Sequence, residues 1–217
     1  MDDFGLECRV ARFHNVYGPL GTYDGGREKA PAALCRKVIN AKRNNENKIE
    51  VWGDGKQTRT FLYIDDCIEG TLRLFESDYS DPVNIGSDEQ VSINQMIEII
   101  ESISGIEKLE RIYQLDKPKG VRGRSSDNTK IQNLLKWEPS IELKNGLKET
   151  YNWILHTKFV LKCKSFVRSI LIRKSTTYLR LGFKRWHDIW ICIITICRGV
   201  ISIAICIWII GSEQVFI

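Results

Sequence analysis

Four groupings of side chains in this 217-residue chain have types or spacings that do chemistry in proteins. Tyr113 and Lys117 stand four residues apart. On one face of a helix, a lysine so placed lowers the pKa of a tyrosine hydroxyl and readies it for proton transfer. Tyr113-Gln114-Leu115-Asp116-Lys117 runs instead from a strand-like stretch into a loop before Pro118, so the spacing is coincidental. Gly53-Asp54-Gly55-Lys56 has the glycines and lysine of a phosphate cradle, but a cradle opens a helix and this turn joins strands. His14 invites a general-base role; no carboxylate is spaced to orient its ring, and it reads as structural. The seven cysteines, an odd number, include no Cys-x-x-Cys pair and have no histidine cluster nearby. That argues against a disulfide framework or a zinc site and for a reducing compartment.

The elements that must position such groups follow from periodicity and punctuation. Residues 7–13 mix Cys8, Val10 and Phe13 with arginines, as a strand does when one face lines a site, and a loop follows. Cys8 on that strand reads as a small core residue. From Pro31 to about Arg43 the chain reads as a helix with its proline in the first turn, where the missing N–H costs nothing. Residues 49–52 and 58–64 read as strands joined by the tight Gly53–Lys56 connection. Asp65 or Asp66 then caps a helix to about Glu76, and residues 82–85 form a further strand. Ser92 and Gln95 make a capping-box signature for a helix with the stripe Ile93, Met96, Ile97, Ile100 and Ile103, stopped by Gly105. Residues 109–115 read as a strand, 116–127 as a polar loop and 128–136 as a short helix. A last helix over about 144–155 carries Leu147, Tyr151 and Ile154 inward.

The formal charge of +5 raises the question of a nucleic-acid or anionic-membrane partner. Its distribution answers that: residues 1–155 hold 22 Lys and Arg against 25 Asp and Glu, so the basic excess belongs to residues 156–217. Aromatic residues interleaved with basic ones on a defined element are missing from the body, which excludes nucleic acid as the expected partner. The acidic start is followed by a strand-like run rather than an apolar h-region, so the body is expected to be cytoplasmic. After His156 the sequence turns basic and apolar without a sustained period. Residues 189–210 are an apolar run of 22 with 11 isoleucines, long enough to span a bilayer, although Arg198 near its middle costs about 3 kcal/mol. The competing reading takes 156–217 as a tail foreign to the body, because an Ile-, Lys-, Cys- and Phe-rich stretch without caps is what translated AT-rich non-coding sequence yields.

Arg12-Phe13-His14-Asn15-Val16-Tyr17-Gly18-Pro19 resembles the strand-to-loop signature of extended short-chain dehydrogenases/reductases that act on nucleotide sugars. Arg59-Thr60-Phe61-Leu62-Tyr63-Ile64-Asp65-Asp66, Val83-Asn84-Ile85-Gly86-Ser87 and Leu134-Leu135-Lys136-Trp137-Glu138-Pro139 follow in the order of that superfamily's later hallmarks. Three further stretches are similar to segments typical of GDP-mannose 3,5-epimerases: residues 25–33 (Gly-Gly-Arg-Glu-Lys-Ala-Pro-Ala-Ala), residues 52–59 (Trp-Gly-Asp-Gly-Lys-Gln-Thr-Arg) and residues 120–128. The resemblance covers residues 4 to about 155.

The resemblance implies an α/β fold, the C-terminal part of an extended short-chain dehydrogenase/reductase without most of its Rossmann nucleotide-binding half, and a non-family apolar tail. It implies a substrate-binding portion over 1–155, NAD as the family's cofactor, and a GDP-sugar as substrate. A sugar diphosphate calls for Lys and Arg to meet charge and Asn, Gln and Thr to meet hydroxyls. Asn15, Glu28, Lys29, Ala30, Lys37, Gln57, Thr58, Arg59 and Arg124 match positions that contact substrate in the family. In the family, NAD takes hydride from the sugar 4-position, and the resulting ketone acidifies the protons at positions 3 and 5, which a Lys and a Cys exchange on opposite faces. Lys29 matches that lysine, and Arg27 is a candidate source of the field such a base needs. Cys8 and Cys35 do not match the cysteine. The glycine-rich NAD turn and the Tyr-x-x-x-Lys of the family are not found in this sequence, so the chain is expected to be inactive alone.

Two other readings remain open: another UDP- or dTDP-sugar epimerase or dehydratase of the superfamily, and a non-catalytic module that anchors to a membrane through 189–210 or docks on a full-length epimerase subunit. A sheet without its nucleotide-binding strands is expected to expose a long unpaired edge, and so to dimerise or bind an intact subunit.

Overall fold

The computed structural model describes residues 7–117 and 120–160. In chain order the elements are β1 (Ala11–Phe13), β2 (Val16–Tyr17), α1 (Ala30–Asn44), β3 (Lys48–Trp52), β4 (Thr58–Thr60), β5 (Leu62–Tyr63) and α2 (Ile64–Glu76). Then come β6 (Val83–Ile85), β7 (Gln90–Ser92), α3 (Ile93–Ser104), β8 (Glu110–Gln114), β9 (Gly123–Arg124) and α4 (Thr129–Leu135). Residues 143–160 are helical and are called α5. The strand pairs β1–β6, β2–β5 and β3–β8 are parallel, while β4 lies between antiparallel β7 and parallel β9. This is the expected α/β architecture.

The helices form where the sequence supplies both a buried stripe and its punctuation. α1 begins with Pro31 in its first turn and ends at a left-handed Asn45 whose N–H donates to the Ala41 carbonyl; Lys42 and Arg43 complement the negative end of its dipole. α3 carries the full capping box, Ser92 Oγ accepting from Gln95 N–H and the Gln95 side chain accepting from Ser92 N–H, and it stops at Gly105 with φ 65°. Met96, Ile97 and Ile100 of its stripe are buried, as are Leu147, Tyr151 and Ile154 of α5. These stripes meet α1, β3, Tyr17 and Phe61 in one apolar cluster. A second, smaller cluster gathers Leu62, Cys67, Leu74, Val83, Ile85, Ile131 and Trp137 around α2 and β6. Each large aliphatic side chain so buried contributes about 1.5–3 kcal/mol.

Polar groups inside the fold fasten elements together. The Glu101 carboxylate of α3 accepts from Arg111 Nη1 at 2.5 Å and Nη2 at 2.8 Å, and from the Leu109 N–H at 2.8 Å, with both ionic side chains almost fully enclosed. Glu89 accepts from the Leu143 N–H at the start of α5 (2.8 Å), and Tyr17 Oη donates to the Leu143 carbonyl at 3.2 Å. Burial, and then the negative charge of Glu89, push the Tyr17 hydroxyl far above its ordinary pKa, so it stays a neutral donor.

Several expectations are corrected. The strands flanking Gly53–Lys56 do not form a hairpin: β3 pairs with β8, β4 with β7 and β9, so the turn transfers the chain from one sheet to another. Gly53 and Gly55 do take positive φ, 78° and 69°, because the change of direction is still tight. Neither Asp65 nor Asp66 caps α2, whose N-cap is Tyr63. Asp66 is buried and accepts from Ser140 N–H and Oγ and from Ile141 N–H at 3.0–3.1 Å, holding the approach to α5 against α2. The stretches taken as loops contain β2 and β9, and β7 lies in a stretch given no element. The unpaired edge along β1 is three residues long among the described residues, not a long one. The apolar run 189–210 lies outside the described residues, and no helix among the described residues is long and apolar enough to cross a membrane.

Cys8 is exposed rather than a core residue. Cys35 is buried in the larger cluster, where burial pushes its thiol pKa up to about 12, and burial raises that of Cys67 as well. Iodoacetamide near pH 8 is therefore expected to alkylate Cys8 in the folded chain and to leave Cys35 and Cys67 untouched until denaturant is added. Peptide mass mapping reads the result; native-state labelling of Cys35 as fast as Cys8 would contradict this packing.

Candidate functional site

The site is built around a break in one strand. Asn15 adopts a left-handed conformation, φ 43°, which asparagine tolerates better than most residues. Before it, β1 pairs with β6; after it, β2 pairs with β5. Asn15 is half-buried, and its Nδ2 donates to the Thr60 carbonyl at 2.9 Å, while its own carbonyl accepts from the Leu62 N–H. Its side-chain oxygen is left as the group that can meet a ligand hydroxyl.

Asn15 thereby borders β4, which carries Thr58 and Arg59. Arg59 stands in register with Arg124 of β9, and Thr58 with Gly123. Directly opposed residues on neighbouring strands share a face with their Cβ atoms roughly 5 Å apart, so the two arginine side chains start from adjacent positions on one face. Arg59 is half-buried and braced by its neighbours: Nη1 donates to the Thr58 carbonyl at 2.6 Å and Nη2 to the Val121 carbonyl. Arg124 is exposed and has no ion-pair partner among the described residues. Burial, then the charges of Arg124 and Arg12, lower the pKa of His14, so this ring is neutral at pH 7 and adds no third cation.

The segment bearing Arg124 is moored at the C-terminal end of β6. A Cβ on Gly86 would lie 2.5 Å from Ser126 and 2.9 Å from the His14 Cβ, so only glycine lets the 124–128 segment lie this close to β1 and β6. The Asn128 side chain then donates to the Gly86 carbonyl at 2.9 Å and accepts from Ser126 Oγ at 2.6 Å. Ends of parallel strands are where α/β sheets bind ligands.

The second group of expected residues sits at the entrance to α1. The Glu28 carboxylate accepts from the Gly26 N–H and from Arg36 Nη2, both at 2.7 Å. Hydrogen bonds from the loop backbone, its own N–H foremost, and from Arg36 hold the carboxyl below its usual range. Glu28 thus shapes the glycine loop from within. Lys29 is the N-cap residue of α1; its carbonyl accepts from the Ala33 N–H, and its exposed amine has no partner among the described residues. Ala30 opens the helix. Lys37, one face further on, donates to the Glu50 carbonyl at 2.8 Å and pairs with the Glu50 carboxylate at 3.6 Å, so it ties α1 to β3.

Gln57 immediately precedes β4. Its Nε2 donates to the Trp52 carbonyl at 3.0 Å, and its Oε1 is buried without a partner among the described residues. Trp52, half exposed at the end of β3, offers a flat apolar face beside it and was not among the residues expected from the motifs. A tryptophan at a solvent-facing position of an alternating strand is the signal that could have found it. A surface depression lined by Gln95, Glu98, Ile99, Ser102 and Lys144 contains none of these groups. Among the described residues no cluster of His, Cys, Asp or Glu could hold a metal ion.

A family model described as GDP-mannose 4,6 dehydratase matches residues 1–150. GDP-mannose 3,5-epimerase 1 of Oryza sativa subsp. indica is 57% identical over 152 residues, which cover 70% of this chain and 39% of the relative. GDP-mannose 3,5-epimerase of Arabidopsis thaliana is 55% identical over the same shares. The chain thus spans about two fifths of the length of these relatives. Among solved structures, a UDP-glucose 4-epimerase with UDP-glucose from Thermotoga maritima superimposes with a TM-score of 0.63 at 31% identity, covering 71% of this chain and 48% of that one. A UDP-glucuronic acid 4-epimerase from Bacillus cereus, in complex with UDP-glucuronic acid and NAD, gives 0.59 at 30% identity, covering 71% and 47%.

Proposed function

The chain belongs to the GDP-mannose 4,6 dehydratase family, and from that premise we propose that it carries the sugar-nucleotide-binding part of a GDP-mannose 3,5-epimerase, the enzyme that converts GDP-mannose to GDP-L-galactose. The observation that carries this reading is the in-register pair Arg59 and Arg124. Two cations held side by side are relieved by an anion that bridges them, and a diphosphate presents oxygens to both. Thr58 and Asn15 beside them supply hydrogen bonds, and Trp52 offers a stacking face to the base. Lys29 and Ala30 reach the sugar end, where the Lys29 amine moves a proton at carbon 3 or 5. Glu28 and Lys37 contribute by shaping the loop and seating α1, because both are already engaged.

NAD, present in the Bacillus cereus complexes, does not fit the residues described here. A dinucleotide needs a short glycine turn from a parallel strand into a helix whose first amides are free. The stretch from β2 to α1 spans residues 18–29, and the helix that follows has Pro31, without an N–H, in its first turn. No hydride step is therefore assigned to this chain; its own chemistry is binding the sugar diphosphate and acid/base work at the carbons flanking a ketone.

Calorimetry with the full chain tests the proposal. GDP-mannose is expected to bind, and Arg59→Ala or Arg124→Ala to weaken binding by about 10- to 100-fold, the worth of a charge-assisted contact. Wild-type affinity in both variants would place the diphosphate elsewhere. The solved neighbours that hold UDP-sugars favour a second reading, a UDP-sugar enzyme. Tighter binding of UDP-glucose than of GDP-mannose would select it.

A further inference from the structure

α1 holds Lys29 from one side only. The Lys29 carbonyl accepts from the Ala33 N–H, while its amide continues into a loop in which Gly25 and Gly26 take φ of 95° and 85°. Apart from chain neighbours, nothing lies within 4 Å of where a Cβ on either glycine would stand, so packing does not restrain this stretch. Its restraint is polar. The Gly25 N–H donates to the Asp24 carboxylate at 2.9 Å, and the Gly26 N–H donates to the Glu28 carboxylate at 2.7 Å.

One guanidinium meets both carboxylates. Arg36, in the second turn of α1, donates from Nε to the Tyr23 carbonyl at 2.8 Å and from Nη2 to Glu28 at 2.7 Å, and its Nε stands 3.7 Å from Asp24. The Asp24 side chain is 64% exposed, and an ion pair so placed contributes little. Glu28 is 9% exposed and Arg36 20%, so this pair and the Tyr23 bond carry the link. Tyr23 is itself seated edge-on against Trp153 of α5, ring centroids 5.4 Å apart. The fork therefore grips both ends of residues 23–28 and ties them to the helix at whose start Lys29 stands. A lysine at this place supplies a point charge, not two donors at fixed directions.

We propose that Arg36 is a positioning residue: by clamping residues 23–28 to α1 it fixes the amide side of Lys29, and so sets where the Lys29 amine stands toward the sugar. The proposal rests on the reading of Lys29 as the acid/base group. Displacing a reacting group by about 1 Å costs on the order of a hundredfold in rate. The diphosphate contacts assigned to Arg59 and Arg124 belong to other elements, β4 and β9. Loss of the clamp therefore slows the chemistry and spares the binding.

Two measurements on the full chain test it, one of them independent of activity. Amide hydrogen exchange by NMR should show the Gly26 N–H of Arg36→Ala exchanging at least tenfold faster than in the parent, with the amides of α5 unchanged. Deuterium incorporation into a saturating GDP-linked 4-ketohexose should slow by about 10- to 100-fold in Arg36→Ala, with calorimetric affinity within about threefold of the parent. Arg36→Lys, which keeps a cation beside Glu28 and the parent's melting temperature, should slow it by about tenfold. In a Lys29→Met background Arg36→Ala should cost nothing further, because its effect runs through the missing amine. The clamp is overturned if the Gly26 amide is as protected in Arg36→Ala as in the parent. The positioning role is overturned if both folded Arg36 variants work at the parent rate, or if Arg36→Ala costs as much without the Lys29 amine as with it. A parent chain without deuterium exchange, or Lys29→Met at the parent rate, instead sinks the acid/base reading and the positioning role with it, and the amide measurement alone then decides the clamp.

Discussion

Replacing Lys29 with methionine is expected to remove about two to four orders of magnitude of proton exchange at carbons 3 and 5 of a GDP-linked 4-ketohexose, the usual contribution of a positioned acid/base group. Methionine keeps the length and apolar stem of the side chain and deletes only the amine. Lys29 contributes backbone, not side chain, to the start of α1, because the first helical N–H it satisfies is met by its carbonyl. The substitution therefore leaves the helix intact. A substrate supplied already oxidised needs no hydride acceptor, so the chain can be assayed with its own residues. Deuterium incorporation from D₂O, read by NMR, reports the exchange, and calorimetric affinity should fall by far less, about tenfold or under. Exchange by the Lys29→Met chain at the parent rate would remove Lys29 from the chemistry.

The largest loss of stability is expected from Arg111→Ala, about 3–5 kcal/mol. The arginine meets Glu101 through both terminal nitrogens, and the pair is almost wholly enclosed between α3 and the start of β8. Removing the cation leaves a carboxylate inside the fold with only the Leu109 N–H to balance it. Since whole domains are stable by about 5–15 kcal/mol, the variant should be largely unfolded at growth temperature. A denaturant titration followed by circular dichroism measures the change. Replacing both residues together by apolar ones of similar volume should recover most of the loss, because the cost lies in the stranded charge rather than in the missing contact. A midpoint for Arg111→Ala within error of the parent would show that the pair is solvated.

The parts of this fold that could be read from sequence are those whose signals are local. Ser92, Gln95 and Gly105 bracket α3 within a few residues of where it starts and stops, and Pro31 marks the first turn of α1. The inward stripe of α5 follows from the spacing of Leu147, Tyr151 and Ile154. β2, β7 and β9 were not legible, because two or three residues are too few to show alternation and their partners lie far off, Thr58 against Gly123 for one. The Gly53–Lys56 turn misled for a related reason: glycines announce a change of direction, not which strand the chain meets next. Asp66 looked like a cap because of its position, whereas its hydrogen-bonding capacity is spent 74 residues away on Ser140. At the candidate site, residue types were readable through family motifs. Their present engagements were not: neither the pairing of Glu28 with Arg36, nor that of Lys37 with Glu50, nor the strand register of Arg59 with Arg124 leaves a trace in spacing.

The kink at Asn15 has a mechanical corollary. Residues 11–17 feed Ala11 and Val16 into one apolar nucleus and Tyr17 into the other, so this short span is a rivet through two plates. Under the proposed function, a sugar nucleotide that grips Asn15 holds the rivet itself, and occupancy of a loop at the surface is then felt as resistance to melting by both plates together.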